Sequence, residues 1–228
     1  MSGSANSARG ARDAEAAEIA ARILLDTGAV LFRPDAPFTF TSGRRSPVYV
    51  DCRRLISFPR ARRRLMDLGS DLIERKIGCE ALDAVAGGET AGIPFAAWIA
   101  ERLALPMLYV RKEPKGFGRN AQIEGRLTDR ARVLLVEDLA SEGTSKLNFV
   151  RALRRAGAEI GHTFVIFNYG IFPQIETSLA AEGIALHALA TWWDVAELAE
   201  RLGRFEPGQY AAVRRFLEDP EDWSASAK

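Results

Sequence analysis

The sequence has few of the residues that build metal centres and disulfide frameworks. Its 228 residues include two cysteines, Cys52 and Cys79, and two histidines, His162 and His187. The cysteines have neither the spacing of a zinc site nor the number that a disulfide framework needs. We therefore expect reduced thiols and a cytoplasmic location.

An excess of charge of one sign is also missing. The chain has 31 lysine and arginine residues against 30 aspartate and glutamate residues, which gives a net charge of +1. Such a chain has no overall field that would attract nucleic acid or an anionic membrane. No hydrophobic run approaches the length of a membrane span, and the N-terminus lacks the apolar stretch of a signal peptide. We expect a soluble protein with neither nucleic acid nor membrane as a partner.

The sequence contains enough hydrophobic residues to form one full core. It is 47% hydrophobic and 27% charged, which is ordinary for a globular protein. Residues 1–10 are rich in serine, glycine and alanine, a composition typical of a disordered tail. Residues 11–228 are of a length that fits a single domain.

Short apolar segments alternate with helical patterns along most of the chain. The predicted strands are residues 81–87, 106–112, 132–136, 161–170 and 184–190. Segments with helical periodicity lie between them. Alternating strands and helices, with strands rich in valine, leucine and isoleucine, are typical of a parallel sheet covered on both faces. The sequence therefore predicts an α/β fold with a Rossmann-like, mostly parallel sheet.

The segment RVLLVEDLASEGTSK, residues 132–146, raises the sharpest functional question. Its apolar strand ends at Glu137 and Asp138, and ligands of open α/β sheets bind at the carboxyl ends of the strands. Two buried carboxylates are unfavourable unless something satisfies them, as ribose hydroxyls or Mg²⁺ would. A helix cap is the alternative interpretation, and this segment alone does not decide between the two.

The residues that follow the acid pair can form a phosphate site. Ser141, Thr144 and Ser145 offer hydroxyl groups, and Gly143 allows a close approach of the backbone. The start of a helix adds free N–H groups and a favourable dipole. The spacing of a Walker P-loop is absent. Acids for a ribose beside a cradle for its phosphate indicate a phosphoribose site.

Two more glycine-rich segments follow predicted strands. Residues 110–125 contain Arg111, Lys112 and Lys115, which can stabilise the charge on a leaving pyrophosphate. Residues 87–94, GGETAGIP, can bring backbone N–H groups to phosphate oxygens. Taken singly, the first is also typical of a solvated basic loop and the second of an ordinary turn. Three such segments at one predicted sheet edge favour a site for phosphoribosyl pyrophosphate.

Together these segments resemble the type I phosphoribosyltransferases and, among them, the orotate phosphoribosyltransferases. Residues 137–145 resemble the motif that binds phosphoribosyl pyrophosphate (PRPP) in that superfamily. Residues 38–51, FTFTSGRRSPVYVD, resemble the amino-terminal signature, and residues 111–118, RKEPKGFG, resemble the mobile catalytic loop. The resemblance implies the type I phosphoribosyltransferase fold, to which residues 11–58 would contribute a small amino-terminal cap, or hood.

The resemblance also implies an activity. An orotate phosphoribosyltransferase transfers the phosphoribosyl group of PRPP to orotate, which gives orotidine 5'-monophosphate and pyrophosphate in de novo pyrimidine (UMP) biosynthesis. Mg²⁺ would be bound through PRPP, with Glu137 and Asp138 as further candidate ligands. The enzyme would be a homodimer in which loop 112–126 is shared across the interface, with Lys112 reaching into the site of the other subunit.

The resemblance assigns roles to individual residues. The catalytic residues would be Lys112, Lys115 and Asp138. The PRPP-binding residues would be Glu89, Thr90, Ala91, Arg111, Lys112, Lys115, Glu137, Asp138, Leu139, Ala140, Ser141, Glu142, Gly143, Thr144 and Ser145. The orotate-binding residues would be Ser141, Tyr169, Arg44 and Tyr49.

Five positions depart from the pattern of the family: Phe117, Thr41, Tyr169, Ser141 in place of a threonine, and Glu142 in place of a small residue. Phe117 lies in the catalytic loop where better-known members have a histidine, so we expect it to be dispensable for turnover. Thr41 stands where a lysine often contacts the base, and Tyr169 stands where an arginine often pairs with the carboxylate of orotate. The sequence does not show which residues hold that carboxylate.

Two other functions stay open. One is the same chemistry on another base. The other is a non-catalytic, PRPP-sensing regulator that binds RNA, for which the eight arginines within residues 44–64 would contact phosphates. We favour an enzyme, because the acid pair and the basic loop are both present and the charge is near neutral.

Overall fold

The computed structural model of this protein describes residues 10–40, 42–114, 122–141, 145–206 and 208–226. They form two compact units. The sheet unit comprises residues 62–188, and the terminal unit comprises the described residues up to Ala61 together with those from Leu189 onward. Within the described residues, no helix is both long and apolar enough to cross a bilayer.

The elements follow in chain order. The first part of the chain forms α1 (Ala11–Asp26), β1 (Val30–Phe32), β2 (Phe38–Thr39), β3 (Arg45–Ser46), β4 (Val48–Val50), a 3₁₀ helix (Cys52–Ser57) and α2 (Pro59–Lys76). The middle forms a 3₁₀ turn (Cys79–Ala81), β5 (Ala84–Gly88), α3 (Gly92–Leu103), β6 (Met107–Val110), β7 (Ile123–Glu124) and β8 (Arg132–Ala140). The last part forms α4 (Ser145–Arg155), β9 (Glu159–Asn168), α5 (Pro173–Ala181), β10 (Ala185–Thr191), α6 (Trp192–Arg201), α7 (Gln209–Glu218) and α8 (Pro220–Ser226).

A six-stranded sheet with the strand order β10-β9-β8-β5-β6-β7 is the centre of the architecture. Strand β5 pairs in parallel with β6 and β8, and β8 pairs in parallel with β9. The two-residue strand β7 at one edge pairs antiparallel with β6. The interiors of β5, β8 and β9 are buried, as expected for strands covered on both faces. The predicted α/β fold with a mostly parallel sheet is therefore confirmed.

Helices pack on both faces of this sheet. On one face, α4 contributes Phe149 and Leu153 to the hydrophobic cluster that contains Leu135 of β8. Phe164 of β9 aligns with the residue that follows Leu135, so it faces the opposite side. On that side a Cβ at Gly69 of α2 would lie 2.7 Å from the Phe164 ring. The absence of a side chain at Gly69 lets α2 approach the sheet closely.

The terminal unit joins the two ends of the described chain. Helices α1 and α6 pack together, and Arg201 Nη2 lies 2.7 Å from Glu18 Oε1. Strand β1 pairs antiparallel with β4, and β2 pairs antiparallel with β3. Trp192 is fully buried at the start of α6, with its ring 6.1 Å from that of Phe32. The predicted organisation as one domain, with residues 11–58 as its cap, stays a prediction.

Candidate active site at the carboxyl ends of the strands

The acid pair lies inside the last part of β8. We expected the strand to stop at residue 136, but β8 continues to Ala140, and Glu137 aligns with Val165 of β9. Successive residues of a strand face opposite sides, so the two acids differ in environment. The Glu137 side chain is buried, with 7% exposure, and Asp138 is half-buried.

Two glycines make the space that Glu137 occupies. A Cβ at Gly88, at the end of β5, would overlap Glu137 Oε1, and a Cβ at Gly92 would lie 2.5 Å from the same oxygen. Helix α3 begins at Gly92, and the N-terminal end of a helix favours a negative charge. Glu137 Oε1 nevertheless has no hydrogen-bond partner within the part of the chain that the structure describes. The site thus contains a buried oxygen that can accept a ligand hydroxyl or a metal ion.

Burial raises the pKa of the Glu137 carboxyl to about 7. The charges of Lys146 and Lys112 act in the opposite direction, and that of Asp138 raises the pKa further. Lys112 therefore lies close enough to act on the acid pair of its own chain. The resemblance implied that Lys112 reaches into the site of a partner subunit, and that role stays a prediction.

Lys146 is a part of the site that the sequence analysis missed. Its side chain is 3% exposed, and its Nζ donates a hydrogen bond to the carbonyl of Leu139. Burial lowers the pKa of Lys146, while the charges of Glu137 and Asp138 oppose that shift. A cation in the first turn of a helix is unfavourable for the helix dipole. A lysine in the first turn of the helix that follows the acid segment was the signal available in the sequence.

The predicted phosphate cradle is described only at its two ends. Asp138 Oδ1 accepts the backbone N–H of Leu139 at 2.9 Å, within the acid segment itself. Ser141 is half-buried after the end of β8, and Ser145 is exposed at the first residue of α4. The predictions for Glu142, Gly143 and Thr144 concern residues outside the described part of the chain.

The segment after β5 is tied to the end of β6. The backbone N–H of Glu89 donates to the carbonyl of Val110 at 2.9 Å, and Glu89 Oε2 accepts the backbone N–H of Lys112 at 2.7 Å. The peptide bond between Glu89 and Thr90 is cis. Thr90 is exposed and Ala91 is half-buried at the start of α3. The first predicted pyrophosphate segment is therefore in direct contact with the first residues of the basic segment.

The described part of the basic segment is also fixed by Gln122, which the sequence analysis did not single out. Gln122 Nε2 donates to the carbonyls of Arg111, at 2.9 Å, and Lys112, at 3.2 Å. The backbone N–H of Arg111 donates to the Gln122 carbonyl at 2.9 Å. The Lys112 side chain is exposed. Lys115 and Phe117 lie outside the described residues.

Tyr169 follows β9 directly and is held in an aromatic cluster. Its backbone N–H donates to the carbonyl of Ala140 at 2.8 Å, beside the end of β8. Its side chain is 3% exposed, with ring centroids 5.8 Å from Phe172 and 5.7 Å from Phe167. A contact with orotate at this residue stays a prediction.

The other two orotate candidates belong to the terminal unit. Arg44 Nη2 lies 3.7 Å from Glu221 Oε1, and the Tyr49 ring lies 5.3 Å from that of Phe38. Thr41 lies outside the described residues. The structure thus brings together Glu89, Lys112 and the acid pair within the sheet unit, and it describes Arg44 and Tyr49 in a different unit.

The carboxylates of the acid pair are ligands of the kind that Mg²⁺ prefers. Among the described residues, no group of three or more His, Cys, Asp or Glu side chains could hold a metal ion. Glu137 Oε1 is a buried carboxylate oxygen without a described partner. The arrangement fits a metal ion that arrives with a diphosphate and takes one or two further oxygens from the protein.

Comparisons with known proteins agree with this site. The phosphoribosyl transferase domain family matches residues 61–171. The chain is 57% identical over 215 residues to the orotate phosphoribosyltransferase of Dinoroseobacter shibae, covering 94% of this chain and 95% of the relative. The solved orotate phosphoribosyltransferase of Aeropyrum pernix is 33% identical, with a TM-score of 0.67 over 81% of this chain and 99% of that chain. The Mycobacterium tuberculosis orotate phosphoribosyltransferase, solved in complex with PRPP, is 25% identical, with a TM-score of 0.58 over 81% of this chain and 98% of that chain.

Proposed function

This chain belongs to the orotate phosphoribosyltransferase family, and on that premise we propose that it transfers the phosphoribosyl group of PRPP to orotate. The products would be orotidine 5'-monophosphate and pyrophosphate, in de novo pyrimidine (UMP) biosynthesis. The observation that carries the proposal is the acid pair Glu137 and Asp138 at the carboxyl end of β8. Gly88 and Gly92 make room for one of these acids, and Lys112 lies nearby.

The ribose half of the substrate would occupy the acid segment. Glu137 and Asp138 would accept hydrogen bonds from the ribose hydroxyls, and Leu139 and Ala140 would contribute backbone groups. The 5-phosphate would bind where α4 begins, on Ser141, Glu142, Gly143, Thr144 and Ser145. The start of α4 supports this, because free N–H groups at a helix start and hydroxyl side chains suit a phosphate.

The pyrophosphate would bind between the first two glycine-rich segments. Arg111, Lys112 and Lys115 would neutralise its charge, and the backbone of residues 89–91 would approach it. The bond between the anomeric carbon and the pyrophosphate oxygen breaks, and the electron pair leaves with pyrophosphate. A ring nitrogen of orotate forms the new bond and releases its proton to the departing pyrophosphate or to water. Mg²⁺ bound with the pyrophosphate would supply further neutralisation of the leaving group. The chain would lower the barrier by positioning and electrostatic stabilisation, without a protein nucleophile.

The pyrimidine would lie at the ends of β8 and β9. Ser141 and Tyr169 are the proposed contacts from the sheet unit, supported by the hydrogen bond between Tyr169 and Ala140. Arg44 and Tyr49 are the proposed contacts from the terminal unit, supported by the family signature in which they occur. We also propose a homodimer that shares loop 112–126 and a location in the cytoplasm, which extend the resemblance and the sequence composition.

The experiment that tests the function is loss of orotate absorbance with purified protein, PRPP and Mg²⁺. Uracil, adenine and hypoxanthine are run in parallel as alternative bases. Turnover of orotate and of no other base supports the proposal. Turnover of another base would mean that the enzyme is specific for that base instead. Tight PRPP binding without turnover of any base would overturn it in favour of the regulator, to be tested by RNA binding over a salt series.

Two substitutions test the site within the same assay. We expect Asp138→Asn and Lys112→Ala each to lower turnover by about 10²-fold or more, since each removes a charge proposed to contact the reacting group. Phe117→Ala is the matched change in the same loop and should retain turnover. Near-normal turnover in Asp138→Asn would mean that the proposed ribose site is wrong.

A further inference from the structure

The peptide group of Lys112 is held by side chains from two directions. Its N–H donates to Glu89 Oε2 at 2.7 Å, and its carbonyl accepts from Gln122 Nε2 at 3.2 Å. Glu89 follows β5, and Gln122 directly precedes β7, so the two contacts come from opposite sides of β6. Both backbone groups of Lys112 are therefore bound by side chains from neighbouring segments.

The Gln122 side chain is itself fixed. Its Nε2 also donates to the Arg111 carbonyl at 2.9 Å, and its Oε1 accepts from Arg155 Nη2 at 3.2 Å. The guanidinium of Arg155 can only donate, and the two carbonyls can only accept, so the amide has one orientation that satisfies all three contacts. A primary amide is required here, because neither a carboxylate nor a hydrocarbon could make both kinds of contact.

We propose that Gln122 and Glu89 are positioning residues that orient Lys112 towards the leaving pyrophosphate. This inference rests on the proposed function, because Lys112 matters only if pyrophosphate leaves beside it. An exposed lysine has many rotamers, and its backbone is the part of it that the protein can fix in advance. A displacement of about 1 Å of a positioned catalytic group can reduce a rate by about 10²-fold.

The same contact explains a carboxylate in a segment that faces pyrophosphate. Glu89 would repel an anionic ligand if its side chain pointed at it. The structure instead engages Glu89 Oε2 with the N–H of Lys112, while Thr90 and Ala91 follow in the segment towards α3. The pyrophosphate-binding backbone and the basic segment are thereby held in one arrangement.

Gln122→Glu is the first test, because it keeps the shape and the contact with Arg155 but loses the donor to both carbonyls. We expect kcat to fall about 10- to 100-fold, with the KM for orotate within about twofold and the melting temperature unchanged. Gln174→Glu, an exposed change on α5, is the matched control and should behave as wild type. Wild-type kcat in Gln122→Glu would overturn the proposal.

A second pair of variants separates positioning from stability. Glu89→Gln retains an oxygen acceptor for the Lys112 N–H and should lose less of kcat than Glu89→Ala, which should lose about as much as Gln122→Glu. The double variant Glu89→Ala/Gln122→Glu should lose less than the product of the two single losses, because both act on one peptide group. Equal losses in Glu89→Gln and Glu89→Ala would contradict the proposal.

Hydrogen exchange of the Lys112 backbone amide measures its contact with Glu89 independently of turnover. It should be slow in the wild type and faster in Glu89→Ala and Gln122→Glu. A wild-type protein that turns over no orotate would refute the proposed function, and the exchange data would still decide whether the contact exists. Fast exchange in a wild type that does turn over orotate would refute the positioning alone.

Discussion

At the scale of single residues, the site is recognisable by residue types whose chemistry is rare in a strand. An acid pair at the end of an apolar run predicted the ribose site from sequence, because buried carboxylates need a specific reason. Lys146 and Gln122 were missed, because their described partners include backbone carbonyls, and any side chain with an N–H can reach a carbonyl. Only the folded chain shows that the Leu139 carbonyl binds Lys146 and that the Arg111 carbonyl binds Gln122.

Burial of the Glu137 carboxyl makes the free energy of unfolding depend on pH. Its pKa is raised to about 7 by burial, above the ordinary value of about 4.3. The folded state therefore binds a proton more tightly than the unfolded state, and the free energy of unfolding falls as pH rises from about 4 through 7. At pH 8 the folded protein holds a buried charge that the unfolded chain would expose to water.

Glu137→Gln should therefore raise the melting temperature at pH 8 while it abolishes orotate turnover. The gain should be on the order of 1–3 kcal/mol and should shrink towards pH 5, where the native carboxyl is already protonated. Differential scanning calorimetry at the two pH values measures it without substrate. Glu197→Gln, at an exposed position of α6, is the control and should show neither effect. A lower melting temperature at pH 8 would mean that the Glu137 charge is satisfied.

At the scale of elements, the pattern of apolar residues predicted the helices and the parallel strands to within a few residues. The pattern did not predict strands that are defined by their pairing with another strand rather than by their composition. Strand β7 is two residues long and exists because it pairs with β6. Residues 38–50 form three short strands, of which β2 pairs with β3, and β4 pairs with β1, a partner that lies earlier in the chain.

The junction between β5 and α3 offers a prediction at the same scale. Gly88→Ala should destabilise the sheet unit and lower turnover strongly, because the new Cβ would overlap Glu137 Oε1 and lie 2.6 Å from the Phe149 ring. Gly161→Ala, in β9, is the matched control, since a Cβ there meets nothing within 4 Å. That change should be neutral or stabilising by up to about 1 kcal/mol. Thermal unfolding and orotate turnover of the two variants measure the contrast, and equal behaviour would contradict it.

Strands β9 and β10 carry the two histidines in direct contact. His162 Nδ1 lies 3.1 Å from His187 Nε2, which favours a packing role for both side chains. Burial lowers the pKa of His162, and burial, His162 and Lys76 together lower the pKa of His187 to about 4. The unfolded chain, with histidine pKa values near 6.5, binds more protons between about pH 6.5 and 4. The pair therefore destabilises the fold as pH falls through that window.

His187→Gln should reduce this acid sensitivity. We expect the melting temperature of the variant to fall less than that of the wild type between pH 7.5 and 5. The two decreases should differ by on the order of 2–4 °C. Scanning calorimetry at both pH values measures it, and the variant at pH 7.5 shows what the substitution itself costs in packing. Identical slopes of melting temperature against pH in the two proteins would show that the pair does not titrate in this range.

At the scale of the whole molecule, the described residues form two compact units, and the organisation as one domain stays a prediction. The terminal unit is discontinuous, and local periodicity does not reveal a unit made from both ends of a chain. The terminal unit contains contacts between residues that are distant in sequence, such as that between the Trp192 and Phe32 rings.

The proposed homodimer is tested most directly by mixing inactive subunits. If loop 112–126 is shared across the interface, Lys115 acts on the acid pair of the partner subunit. Lys115→Ala and Asp138→Asn are then inactive alone, and their heterodimer has one intact site and one doubly defective site. Because a two-fold dimer has two equivalent sites and random exchange makes half of the dimers mixed, about a quarter of wild-type activity should return.

The matched control replaces Lys115→Ala with Lys112→Ala. If Lys112 acts on Glu137 of its own chain, every site of that mixed dimer keeps one defect and no activity should return. Both mixtures are exchanged in mild denaturant, refolded and assayed for orotate turnover, with light scattering to count subunits. Recovery in the first mixture alone would establish that the site takes Lys115 from one subunit and both Lys112 and Asp138 from the other. Recovery in neither, from a protein that is dimeric by light scattering, would assign Lys115 to its own subunit and refute a shared loop.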